Sequence, residues 1–278
     1  MKPQRKHIIS EKSPVGAALL LALLSLLFEQ LAAFVLSVTG LADSFPSDIA
    51  RYLAVTIGAL LFLIFLRLWY APQYQGTMKS GLSAKETIFV TLPIIVYSLI
   101  VTAVGLVQYS FYFHPTFENA VMGLTGGFGE EVLFRVTVIP VCMGFLKSQN
   151  RGWLVPIVTA LIFGAAHMGN VISGASLTNG IVQAVVTALM GFYYGALFVS
   201  TGSALPGILT HSVYDFLCFA GDPTLTSGIM TTTLAAWKIV FNIVLALALA
   251  ASGVVILKKI GSDRILAIWR EKWSLESS

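Results

Sequence analysis

The sequence predicts an all-α polytopic membrane protein, a bundle of about eight transmembrane helices with both termini cytoplasmic. Three observations carry that prediction. Of 278 residues, 56% are hydrophobic and only 11% charged, against about 25% charged in a soluble globular domain. Apolar windows near the length of about 20 residues that crosses a bilayer as a helix recur along the whole chain. Lys and Arg gather in alternate connections, as the positive-inside rule requires.

The windows fall at 15–38, 50–70, 87–109, 119–146, 152–169, 180–200, 204–221 and 234–257. The first follows Lys2, Arg5, Lys6 and Lys12. It is too long for the apolar region of a cleaved signal peptide, about 7–15 residues, so it is read as a retained span. The fifth and seventh windows are short, and Pro206 opens the seventh in a first turn, where proline is tolerated. Connections are brief and no internal repeat is evident. One membrane domain, 1–278, therefore fills the chain, with cytoplasmic tails at 1–14 and 258–278 and a motif-bearing core at 119–220.

Charge asymmetry orients these spans. The second loop carries Lys79 and Lys85, the fourth Lys147 and Arg151, and the C-terminal tail Lys258, Lys259, Arg264, Arg270 and Lys272. The odd-numbered loops hold almost none beyond Arg51. Both termini then lie on the cytoplasmic side, which needs an even number of spans. The net charge of +4 reports topology and contact with anionic lipid, and nucleic-acid binding is not implied. Cys142 and Cys218 sit in apolar segments and read as small buried residues. The short tails and loops suit a prokaryotic plasma membrane, and oligomeric state is not legible.

Polar residues inside the apolar windows are few. Gly129-Glu130-Glu131-Val132-Leu133-Phe134-Arg135 interrupts the fourth, and each such charge is costly at mid-bilayer, about 2.5–3.5 kcal/mol on insertion scales. A membrane span keeps them if they pair, face water or do chemistry. Arg135 lies one turn beyond Glu131 and about 40° around the helix, the favourable order for an ion pair. Glu130 points about 100° away from Glu131 and is left for another task. His167 closes Phe163-Gly164-Ala165-Ala166-His167 in the fifth span. His211 and Asp215, four apart on one face of the seventh, place an imidazole and a carboxyl together. Phe163 shares a face with His167 and reads as packing beneath it. Gly123, Gly126, Gly127 and Gly129 thin the helix that carries the carboxylates, as Gly164 does beside His167.

Such groups support several chemistries. A carboxylate and a histidine can deprotonate a water for attack on an amide, while a second histidine stabilises the oxyanion. Glu with two His is also an attested zinc set. No His-Glu-x-x-His run exists, however, so the expectation is a site without metal or other cofactor, zinc being the competing case. Ser212 adjoins His211 but faces about 100° away, a poor nucleophile–base pair. Proton or ion transport would use the same residue types, yet repeat symmetry and paired broken helices are missing. The same polar cluster could also simply pin helices together.

The three segments together resemble the CAAX-protease and bacteriocin-processing family, also called the Abi family. Its pattern is Glu-Glu-x-x-x-Arg, Phe-x-x-x-His and His-x-x-x-Asn or Asp on three spans of an eight-helix fold. Here these stand as Glu130 to Arg135, Phe163 to His167 and His211 to Asp215. The resemblance covers roughly residues 119–220 and implies an intramembrane endopeptidase of the glutamate type, acting on a membrane-associated protein or peptide. It implies that Glu130 and His167 activate the water, that His211 and Asp215 form the oxyanion side, and that Glu131 and Arg135 support them. Other members are linked to bacteriocin immunity or scaffolding, so a non-catalytic immunity or scaffold protein is the alternative. Asp215 departs from the Asn form, whose amide would donate to an oxyanion. An Asp must be protonated or act by orienting His211.

Two expectations test the convergence. Counted at about 1.5 Å per residue from the cytoplasmic ends, Glu130 and His167 come out about 20–25 Å deep and His211 about 10 Å. A shared site therefore requires a seventh helix that begins below the surface, or a thinned bilayer. Glu29, inside the first span, is expected to pair with Arg51 by snorkelling.

Overall fold

The computed structural model describes residues 8–72, 74–226, 229–230 and 234–274. Two helices come first, α1 (Ile8–Lys12) and α2 (Pro14–Val38). Ser13 caps α2 by accepting the Gly16 amide, and Pro14 occupies the first turn. A 3₁₀ turn at Ala42–Ser44 leads to α3 (Ser47–Phe65), which runs on through a π-helical turn, Leu66–Tyr70. Next comes α4 (Ala84–Gln108), opened by a capping box between Ser83 and Glu86.

The fourth apolar window is broken. It forms α5 (Phe117–Glu131), a π-helical turn at Val132–Val136 and α6 (Ile139–Phe145), with Pro140 in the first turn of the last piece. Then follow α7 (Arg151–His167), the short α8 (Gly169–Ile172) and α9 (Leu177–Thr201). Gly202, at φ 64°, ends α9 in the left-handed conformation that glycine adopts without strain. After α10 (Leu205–Gly221), β1 (Leu225–Thr226) and β2 (Ile229–Met230) form a two-residue antiparallel ladder. Finally come α11 (Ala236–Ile260) and α12 (Ser262–Lys272).

The protein is an all-α polytopic membrane protein. Among the described residues six helices are long and apolar enough to cross a bilayer: those at Pro14–Val38, Ser47–Tyr70, Ala84–Gln108, Arg151–Ile172, Leu177–Thr201 and Ala236–Ile260. The α5–α6 segment and α10 are shorter or interrupted, and α5 packs against α3 and α10. Large apolar side chains such as Leu27, Leu99, Leu161 and Val240 are exposed on the outer helices, as they must be where the solvent is lipid.

One end of the bundle is stitched together by the chain around α1, the loop after the π-helical turn, the α9–α10 turn and α12. Gly81 N–H donates to the Thr201 carbonyl and Ala204 N–H to that of Thr77. The Gln75 amide donates to Lys272 O, and Ser10 Oγ meets Tyr70 Oη at 2.5 Å. Trp273 Nε1 reaches Pro140 O at 2.8 Å, and Arg264 grips Glu86 with two hydrogen bonds. The first and last described helices thus share an end.

The segment 258–278, read from sequence as a tail, is largely structured. Its α12 seats Ile265, Leu266, Ile268 and Trp269 in the core, and Trp269 Nε1 donates to Val199 O. Its apolar positions follow a helical period too short and too charged for a span, so span-counting reads past it. Lys272 is buried beside this loop, donating to the carbonyls of Gly76 and Lys79, and burial pulls its ammonium below the usual lysine range.

The site is positioned by α5 against α10. These helices run antiparallel with almost no side-chain layer between them. A Cβ added at Gly127 would sit 2.5 Å from the Ser212 amide nitrogen, and one at Gly123 would strike Phe216 backbone. Only glycine permits such an approach. With 123 facing 216 and 127 facing 212, Glu131 meets Gly207, close to the start of α10 at Leu205. The other chain continues past that level through Val132–Phe145. So α10 begins below the bundle end, with loop residues Thr77 and Met78 bonded to Ala204 and Ser203 above it. This reconciles the depths that helix counting left about two turns apart.

Candidate active site

His211 is the hub of the polar cluster. Its Nδ1–H donates to Glu131 Oε1 at 2.9 Å, while Nε2 faces Glu130 Oε2 and Asp215 Oδ1, each at 3.7 Å. Tyr194 of α9 stacks on the ring with centroids 5.0 Å apart and planes at 22°. Phe163 of α7 stands nearly perpendicular to it, with centroids 6.0 Å apart. The imidazole is therefore fixed in plane by Glu131 and in face by two aromatic rings, while Nε2 is directed at the cavity carboxylates.

Sequence spacing gives Glu131 a partner in Arg135, and they do lie together, Nη1 being 3.2 Å from Oε1. The pair is almost wholly enclosed, at 1% and 0% exposure. The guanidinium lies 3.9 Å from the centroid of the Phe163 ring, a cation–π contact that strengthens where water is excluded. Phe163 is thus more than packing beneath His167: one face carries a cation, and the ring stands nearly perpendicular to both imidazoles. The reading of Asp215 as holder of the His211 ring shifts as well. Glu131 makes the ring's hydrogen bond, and Asp215, on the same helix, stands beside Nε2 at a longer distance. Spacing along one helix cannot reveal a better-aligned acceptor on another.

His167 lies at the C-terminal end of α7. Its Nδ1–H donates to the carbonyl of Phe163 one turn back at 2.9 Å, so the Nε2 lone pair is available. Glu130 differs from its neighbour in exposure, its side chain being 39% accessible. Both residues, with His211 and Asp215, line a cavity of about 240 Å3 bounded by α3, α4, α5, α7, α9, α10 and α11. All four sequence-derived candidates thus open into one space, and Glu131 and Arg135 sit behind it. Among the described residues no three His, Cys, Asp or Glu side chains form a metal-holding group.

Several residues of the site escape a sequence reading. Tyr194, behind the cavity, belongs to an apolar stretch in which nothing sets it apart, and only its stacking on His211 singles it out. Tyr52 of α3 and Tyr97 of α4 line the space. So does Lys238, which falls inside the window 234–257 and could have been noticed as its only charge before the terminal lysines.

Glu29 is buried, as its place in α2 suggests, but its Oε1 has no hydrogen-bond partner. The expected pairing with Arg51 is not among the ion pairs of the described residues; that guanidinium lies 4.9 Å over the Tyr52 ring. The two residues lie on different helices, and span-counting places them only by depth.

Comparison with known proteins points the same way as the motifs. Residues 112–217 match the family model described as type II CAAX prenyl endopeptidase Rce1-like. The probable CAAX prenyl protease 2 of Schizosaccharomyces pombe is 31% identical over 115 residues, 37% of this chain and 39% of that protein. The chain thus spans about two fifths of the length of the curated relative it matches. No solved structure matches the chain. The matched segment contains α5, α7 and all but the end of α10, the helices that bring Glu130, His167, His211 and Asp215 to one cavity. Motifs, family model and relative together support the assignment of this chain to the CAAX-protease and bacteriocin-processing family.

Proposed function

We propose that this chain is an intramembrane endopeptidase of the type II CAAX-protease-like class, cleaving a peptide bond in a membrane-associated protein or peptide. The observation that carries the reading is the convergence on one cavity of an accessible carboxylate, Glu130, and two imidazoles from separate helices. Hydrolysis of an amide needs a base for the water, a donor for the oxyanion and a proton for the departing amine. The reading assigns a group to each.

Glu130 and His167 take the proton from the attacking water, the carboxylate being open to the cavity and His167 presenting its Nε2 lone pair. His211 acts as the imidazolium, with protons on both ring nitrogens: Nε2–H donates to the oxyanion and then passes its proton to the leaving nitrogen, and the proton that Glu130 took from the water replaces it, Glu130 Oε2 lying 3.7 Å from Nε2. Its ring is held for that work by Glu131, whose charge is balanced by Arg135. Asp215, in van der Waals range of Nε2, acts on His211 and leaves the oxyanion to it, which accommodates a carboxyl where relatives of the pattern carry Asn. No step in this scheme requires a metal. Zinc held by Glu130 with His167 and His211 is the competing case, and loss of activity on chelation with recovery on added zinc would select it.

The test is comparative peptidomics of membranes from cells carrying wild-type or Glu130→Gln protein. Peptides produced only by the wild type would establish cleavage and name the substrate. If a purified Glu130→Gln protein processed that substrate at the wild-type rate, the catalytic reading would be sunk. An immunity or scaffold role would then stand, supported if both Glu130→Gln and His167→Ala complement fully.

A further inference from the structure

The cavity lies in one half of the bundle. On α4 its lining begins at Tyr97 and runs to Gln108 at the helix end, and on α9 no lining residue among the described ones lies beyond Met190. Tyr52 sits near the start of α3, Asp222 just past α10 and Lys238 in the first turn of α11. The opposite termini of these helices all run into the stitched end, where Gly81 meets Thr201, Ala204 meets Thr77 and Arg264 grips Glu86. The lining therefore gathers at the far end.

Toward the stitched end the cavity meets a dry floor. Tyr97 Oη reaches Met190 Sδ at 3.4 Å. The next layer joins Tyr193 Oη to Val90 O at 2.6 Å, and Ile94, Tyr193, Tyr194 and Leu197 are each at most 1% exposed. Glu131 and Arg135 are enclosed beside them, and buried Trp269 and Trp273 lie beyond. Water or a peptide coming from that side would have to part this packing.

Toward the far end the lining turns polar, with Gln108, Gln183, Asn242, Asp222 and Lys238. Ionisable groups within an apolar bundle face a water-filled space. The chain just past Tyr109 carries Phe111, Tyr112, Phe113 and Phe117, all exposed, and His114 N–H ties it to Ala220 O at 2.8 Å. Exposed aromatic side chains at a span end mark the headgroup layer, so the cavity reaches the membrane–water boundary there. Depth alone does not choose a side: at helical rise Glu130 lies about 20 Å from Phe117 and about 22 Å from Phe145.

Charge names the two ends. Apart from enclosed Arg135, every described Lys and Arg lies at the stitched end except Arg51 and Lys238. That end faces the cytoplasm by the positive-inside rule. We propose that the cavity is entered from the non-cytoplasmic face, so that the substrate is a peptide segment presented at the outer leaflet. A translocation step must then supply it before cleavage. The proposal refines the endopeptidase reading and takes the cleavage itself from it.

The experiment uses the full chain in sealed right-side-out and inverted membrane vesicles. Three single variants carry reporters: Gln108→Cys at the mouth, Thr187→Cys inside the cavity and Lys147→Cys, exposed at the basic end. Each vesicle type is treated with a membrane-impermeant maleimide, and mass spectrometry separates the reporter from Cys142 and Cys218. Thermal melting close to wild type checks that each variant is folded. Gln108→Cys and Thr187→Cys are expected to react in right-side-out vesicles and to lose that labelling in inverted ones. Lys147→Cys shows the reverse. Labelling of Thr187→Cys only in inverted vesicles, or in neither until detergent is added, overturns the proposal, the second result pointing to entry from lipid.

Turnover is a separate arm. A library of quenched decapeptides bearing sulfonated dyes, which do not cross a bilayer, is added outside the same sealed vesicles. Hydrolysis is expected with right-side-out vesicles and is lost with inverted ones until they are permeabilised. Cleavage by sealed inverted vesicles overturns the proposal. If the labelling is as expected and neither preparation cleaves even after detergent, the outward mouth stands and the endopeptidase reading falls.

Discussion

Glu131 and Glu29 are both carboxylic acids buried in apolar helices, each beside a glycine that lets a neighbouring helix come close. A Cβ at Gly207 would lie 3.2 Å from Glu131 Oε2, and one at Gly58 would lie 2.5 Å from the Glu29 amide nitrogen. Their surroundings then diverge. Glu131 accepts from His211 and sits against Arg135, which in turn lies on Phe163. Glu29 meets α3 with Oε1 unpartnered. One acid belongs to a network in which removal of any member strands another, and the other is isolated. In a low-dielectric interior that difference decides what a mutation does, because the penalty falls on the partner left behind.

The largest effect is expected where the network opens to the cavity. Glu130→Gln should lower kcat by about 10²–10⁴-fold, the usual range for a lost general base. Melting in detergent should be unchanged, since this side chain is 39% exposed and anchors no helix. A matching loss of stability would move Glu130 from the catalytic to the structural part of the cluster.

Breaking the enclosed pair comes next. Arg135→Met leaves Glu131 buried without its cation and should destabilise by about 3–5 kcal/mol, visible as a lower melting temperature or failed expression. The double variant Glu131→Leu/Arg135→Met should recover stability without activity, because His211 has then lost the acceptor of its Nδ1 proton. Recovery of both would show that Glu131 does not position the imidazole.

Gly127→Ala tests the helix approach that creates the site. Its methyl group would meet the Ser212 backbone at 2.5 Å, and overpacking of this kind destabilises by about 1–3 kcal/mol. Activity should fall with stability, as displacement of α10 carries His211 and Asp215 away from Glu130. A variant equally stable and active would mean that the two helices can part without consequence.

The smallest effect belongs to the isolated acid. Glu29→Gln, which keeps the shape and removes the charge, should change stability by less than about 1 kcal/mol and leave cleavage untouched. Substantial loss of activity would reveal a coupling between α2 and the cavity that its contacts do not suggest. Asp215→Asn is a companion probe on the network side: activity should be retained, whereas Asp215→Ala should reduce it.

Much of the frame is legible without coordinates because a bilayer imposes simple rules. Apolar runs of span length mark helices, and each of the eight windows contains one. Ser13, Ser83, Thr116 and Ser176 cap their helices in the structure, as small polar residues before apolar runs should. The breaks inside runs are harder. The π-helical turn at Val132–Val136 leaves no compositional trace, and α12 is amphipathic and charged, so neither follows from hydropathy.

The site divides in the same way. Residue type, rarity and spacing single out Glu130, Glu131, Arg135, His167, His211 and Asp215, because a charge inside an apolar span is conspicuous in one dimension. The chain by itself thus determined which groups had to be kept from lipid and that they needed partners or water. Which atom meets which was decided only when α5 and α10 closed on their glycines. That contact placed Glu131, and not Asp215, at His211 Nδ1, while the packing of α7, α9 and α11 laid Phe163 and Tyr194 against the imidazole and brought Lys238 to the same cavity. Helical periodicity fixes directions within one helix, whereas hydrogen-bond partners between helices depend on axial shift and distance of approach, which packing alone sets.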